Sequence, residues 1–155
     1  MQIKSLFLVL VLALVSMAGT SHARKATDAD KKMVRSVMKY LGDIAEILGT
    51  NPKDAKKTLD RLEVYVDENG PEMRKIITKM AALQKELDVE AKKELSAYAE
   101  QQPEIKKLQE NAIAFAMAHQ KDQAVMERFG RIMMKLDPGS SAGDAPAAKQ
   151  KPAKN

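Results

Sequence analysis

The sequence predicts an all-α fold, a small bundle of four to six amphipathic helices with proline-marked joints, and three observations carry that expectation. Apolar residues recur at steps of three and four over most of the span from Val34 to Leu136, which puts them on one face of successive helices. Proline and capping residues punctuate the pattern at helix-length intervals. No stretch alternates apolar and polar residues long enough to compete as a strand, and no internal repeat is visible.

The first stripe is Val34, Val37, Leu41, Ile44 and Leu48, widened by Met38 and Ala45. Thr27 or Asp28 can cap its start, where acids also suit the helix dipole, and Gly49 is expected to end it. Asn51-Pro52 then reads as a new cap with proline at the first helical position. Ala55, Leu59, Leu62, Val66 and Asn69 continue the spacing, and Asn69-Gly70-Pro71 is expected to stop that second helix and start a third. Met73, Ile76, Met80, Leu83 and Leu87 form the next stripe. The phase then shifts to Ala91, Leu95 and Tyr98, with Asp88 where a cap belongs, so a separate helix from Val89 to Glu100 is expected. Gln101-Gln102-Pro103 marks another joint, because a residue before proline disfavours the helical conformation. Two stripes follow: Ile105, Leu108, Ala112 and Phe115, then Met126, Phe129, Met133 and Leu136. Between them lies the polar stretch His119 to Gln123. A break there, capped by Asp122, avoids burying a charge.

The two ends differ from this middle. Residues 1–23 have the layout of a cleavable export signal: Lys4, an unbroken apolar run from Leu6 to Val15, and Ser21-His22-Ala23 before the expected cut. A second cut is available after Ala18. The apolar run is about half the ~20 residues a membrane-spanning helix needs, so cleavage rather than anchorage is expected. Residues 24–137 are expected to be the helical domain, and no segment there is apolar enough to span a membrane. Residues 138–155 are mostly Ser, Ala, Gly, Pro and Lys, and this composition predicts a disordered tail. These readings place the protein outside the cytoplasm, periplasmic or secreted.

Charge and composition exclude several function classes. The net charge of +5 suggests a nucleic-acid partner, but Asp28 to Asp137 hold 20 Lys and Arg against 20 Asp and Glu. A nucleic-acid binder concentrates basic residues on its folded part, so no such partner is expected. Without cysteine there can be no disulfide, thiolate metal site, thiol nucleophile or lipoprotein acylation. After cleavage His119 is the only histidine, since His22 leaves with the signal. Ser36, Ser96, Thr58 and Thr78 lack the motif context of a nucleophile served by a base, and conventional zinc clusters cannot be assembled.

One sharper chemistry remains. His119 with Met33 or Met38 supplies the two ligand types that hold a haem between helices, and soft thioether sulfur also suits monovalent copper. In ligand types and chain order alone, that pair resembles the four-helix b-type cytochromes. Against it, most of the eight methionines of residues 24–155 fall on apolar stripes, where methionine is an adaptable core filler. Neither a cofactor nor a resident metal is therefore expected. The Asp67-Glu68 pair and the Glu86, Asp88, Glu90 group read as solvated helix surface. Gly42 and Gly130 can mark close helix contacts or equally be tolerated substitutions within helices. Lys149, Lys151 and Lys154 can touch an anionic envelope surface weakly, but three scattered lysines read first as an inert, solubilising tail.

The expectation for function is a non-enzymatic, exported helical protein that binds a protein partner or acts like a chaperone, using methionine-containing faces. The Leu-Thr-x-x-Gln repeats of small helical periplasmic chaperones are absent.

Overall fold

Thr27 begins the folded chain with a reciprocal cap. Its side chain accepts from the Asp30 amide while the Asp30 carboxylate accepts from the Thr27 amide. In a computed structural model that describes residues 24–137, this box opens α1 (Asp28–Thr50), followed by α2 (Ala55–Gln84), α3 (Val89–Glu100), α4 (Pro103–His119) and α5 (Gln123–Met134). The described chain is an all-α bundle of five helices with no strands, as the periodicity predicts. The export signal and the tail, with Lys149, Lys151 and Lys154, lie outside the described residues.

Contacts along the helices fix their directions. Asn51 with Thr58, and Asp43 with Tyr65, run in opposite senses, so α1 and α2 are antiparallel. Lys31 meets Glu94, Glu46 meets Lys107 and Pro52 meets His119, stepping forward on both partners. Thus α3 and α4 lie in line, one after the other, both parallel to α1. Arg128 reaches Asp60 and Glu63, and Lys135 reaches Glu63 and Asp67, so α5 runs parallel to the first half of α2. The result is an up-down-up-down arrangement of four rods whose third rod is broken at Gln102-Pro103. Its core runs from Val34 through Ile44, Leu48, Leu59, Leu62, Met73, Leu108 and Phe115 to Ile132.

The joints at Asp88, Pro103 and Asp122 form where the sequence places them. The Asp88 carboxylate accepts from the Ala91 amide at 2.6 Å and that of Asp122 from the Val125 amide at 3.2 Å, while Pro103 opens α4. Three expected boundaries are corrected. The cap of α2 is Asp54, bonded to the Lys57 amide, and Asn51-Pro52 forms a turn ahead of it. Gly49 lies inside α1, two residues before its C-cap Asn51, and makes a close helix contact instead of ending the helix.

The largest correction is at Asn69-Gly70-Pro71, which interrupts nothing: α2 continues as one helix through Pro71. The buried positions Leu62, Val66, Gly70, Met73 and Met80 keep a single helical phase across the proline, so one face stays on the core. Gly70, not Asn69, occupies the core register, and a side chain there would meet Leu136 at 3.6 Å. Pro71 points to solvent, where water can satisfy the Asp67 carbonyl left without its helical donor.

Candidate functional site

The alternative ligand pair, His119 with Met33 or Met38, does not assemble. His119 ends α4 and its Nε2 lies 2.8 Å from the Pro52 carbonyl oxygen, while its ring packs 4.8 Å from that of Phe115. Met38 is buried and Met33 half-buried in the first half of α1. With α1 rising ~1.5 Å per residue, Met38 sits ~20 Å from the Pro52 end and Met33 farther still. A shared iron or copper ion needs both donors at bond lengths of about 2 Å. His119 and these methionines therefore do not fit a haem or a copper ion. Among the described residues no group of three or more His, Asp or Glu side chains converges as a metal site.

Three of the four candidate hydroxyls, those of Ser36, Thr58 and Ser96, are engaged locally. Thr58, fully buried, donates to the Asn51 carbonyl, Ser36 to Lys32, and Ser96 to Glu100. Three polar clusters hold the rods together. At the start of α1 the Arg24 guanidinium forms two bonds to buried Asp30, at 2.7 and 3.0 Å. The Arg24 backbone also bridges Glu86 and Asp88, tying this end to the joint between α2 and α3. That guanidinium, joined by the Thr27 amide and hydroxyl, holds the Asp30 carboxyl far below the usual carboxylate range. Along α2, Glu63 is lowered by Arg128 and then Lys135, and Asp60 by Lys56 and then Arg128. These α2 acids are inter-helix partners of α5 as well as surface groups, which their spacing alone did not reveal. The Tyr65 hydroxyl donates to Asp43 at 2.8 Å, and burial first, then Asp43, raises its pKa.

Between α1 and α4 the helices meet over small residues. Glu104 packs its Cγ 3.0 Å from where a Gly42 Cβ would stand, and a Gly49 Cβ would lie 2.9 Å from Asn111 Cγ. Asn111 donates from its side chain to the Ala45 carbonyl at 2.7 Å. Gly42 thus marks a close contact as expected, and Gly130 does not, having nothing within 4 Å. Beside this seam lies an open groove of about 570 Å³ lined by Arg35, Lys39 and Lys107 against Asp43, Glu46 and Glu104. Its charges are mixed, and Glu46 is already paired with Lys107. A smaller cavity of about 20 Å³ behind Val34 and Leu87 has room for about one water.

The feature best suited to bind something is the outward face of α4. From Ala112 to Ala118 every residue is apolar, and from Asn111 to Gln120 none is charged. Leu108, Ala112 and Phe115 take the inward face and are buried. Ile113 and Met117, one turn apart on the opposite side, are 50% and 66% exposed, with Ala114 and Ala118 exposed beside them. A helix apolar on both faces is ordinarily covered on both. Here one side faces solvent. Of the other methionines, Met73, Met80 and Met133 are buried, Met126 is half-buried and Met134 is exposed. The methionine-containing faces are thus mainly core. The ten-residue interval without charge was the available sequence signal for Ile113 and Met117, and stripe-by-stripe reading passed over it.

No protein-family model matches the chain, and no curated protein or solved structure is significantly similar to it. No helix among the described residues is long and apolar enough to cross a membrane.

Proposed function

We propose that this chain is an exported, non-enzymatic helical protein that acts in the periplasm or cell envelope by binding protein partners on the outer face of α4. The observation that carries the reading is the exposure of Ile113, Ala114, Met117 and Ala118 on a segment without charge. Such a face costs solubility if nothing covers it, and apolar surface of this kind marks interaction sites. Met117 adds adaptability, since an unbranched thioether can repack against different partners. Export rests on the layout of residues 1–23. The chaperone-like form of the activity follows if the partners are unfolded chains, whose exposed apolar segments match this face.

The test is suppression of aggregation. The protein isolated after export is mixed with a chemically unfolded client, and light scattering is followed for wild type and for Ile113→Glu. The expected result is protection by wild type that is lost in the variant while both melt alike. Equal protection by both would refute the α4 reading. The mass of the same isolated protein tests export: a chain beginning at Arg24 is expected, and an uncleaved chain would contradict it.

A further inference from the structure

Charges at the two ends of the α4 stripe select an occupant for it. Opposite the core, the outward positions of α4 and the turn after it run Lys106, Glu110, Ile113 and Ala114, Met117, then Lys121, in helical steps of three and four. Glu110 is solvent-facing and only loosely held by Lys106 at 3.8 Å. Lys121 is exposed. From Glu110 to Lys121 the stripe therefore carries an acid, loosely held by Lys106, at one end, a base at the other and an apolar centre between them. A surface of that pattern is complementary to itself when reversed.

We propose that a second copy of this chain packs on this face, α4 against α4 in antiparallel sense, about a two-fold axis near Phe115 and Ala116. This deepens, and rests on, the reading of α4 as a docking face. In that register Glu110 of each copy lies opposite Lys121 of the other, Ala114 opposite Met117 and Ile113 opposite Ala118. The small alanines admit the larger side chains across the axis, as isologous contacts require. Charge favours this register over its one-turn neighbours. Sliding by one turn in one direction sets Lys106 against Lys121 and Glu110 against Met117. Sliding the other way removes Glu110 from its base. The contact spans about three turns of one helix, well short of a standard interface, so the dimer is weak and reversible. It shields Ile113 and Met117 in concentrated protein and releases them on dilution.

The experiment is sedimentation velocity on the isolated exported chain from ~10 µM to ~1 mM, a range that reads dissociation constants of about 10 µM to 1 mM. Wild type is expected to shift from monomer toward dimer across that range. Glu110→Lys and Lys121→Glu alone should each weaken association at least about threefold, and the double swap should restore it, because the pair meets only across the axis. Ile113→Glu should stay monomeric throughout with an unchanged melting curve. A wild type that is monomeric up to ~1 mM, a double swap that fails to restore association, or a dimer indifferent to Ile113→Glu would each overturn the proposal. Failure here is distinct from failure of the client-binding reading. A monomeric wild type whose client protection is lost in Ile113→Glu overturns self-pairing alone. A dimer lost in Ile113→Glu, with no client protection by wild type, overturns client binding alone.

Discussion

The two faces of α4 use similar residues for opposite ends. On the inner face Leu108, Ala112 and Phe115 are buried against α1 and α5, with Phe115 stacked between His119 and Phe129 at ring distances of 4.8 and 5.4 Å. On the outer face Ile113 and Met117 are as apolar but half or more exposed. Burial decides what each contributes: the inner residues hold the bundle, and the outer ones, so exposed, add little to it. Substitutions on the inner face should lower stability, and those on the outer face should alter binding alone.

The largest effect is expected at Phe115→Ala, which empties the centre of the core and should cost about 3–5 kcal/mol by chemical denaturation. A loss under 1 kcal/mol would mean that the inner face is not packed as described. Next comes Asp30→Asn, which removes a buried carboxylate from Arg24 and from the α1 cap and should cost roughly 1–3 kcal/mol. Because the folded carboxyl titrates below its ordinary value of 3.8, its stabilisation is fully present above about pH 4 and fades as pH falls. Denaturation midpoints between pH 5 and 2 should fall less steeply in the variant than in wild type. The outer apolar centre of α4 has no titratable group, so acid should loosen the fold without acting on that surface directly.

Smaller effects sharpen the contrast at the helix seam. Gly49→Ala pushes a methyl into the Asn111 amide and breaks its bond to the Ala45 carbonyl, for an expected loss of about 1–2 kcal/mol. Gly130→Ala meets nothing within 4 Å and should stabilise α5 by up to about 1 kcal/mol. Equal melting temperatures for these two variants would count against the close approach of α1 and α4.

Local signals were legible and distant ones were not. Asp88, Pro103 and Asp122 mark true joints because a cap or a proline at a helix start acts on its own neighbours. Asn69-Gly70-Pro71 carries equally strong local stop signals, yet the buried phase runs through it from Leu62 to Met80. Gly49 resembles a helix stop in sequence, and only Asn111, far along the chain, explains it. The pairing of Arg128 and Lys135 with the α2 acids depends on which rods are neighbours, which no local spacing encodes. His119 was rightly placed at a joint. Its distance from Met33 and Met38 follows from α4 running parallel to α1, a pairing of rods that no local spacing encodes.

The proposal that the outer face of α4 serves binding and not folding can be broken in a single experiment. It is tested most directly by measuring Ile113→Glu in two ways on the same sample: thermal unfolding, and suppression of client aggregation. Unfolding within ~0.5 kcal/mol of wild type, together with loss of client protection, is the predicted result. A strongly destabilised variant, or a stable one that protects the client as wild type does, would contradict it.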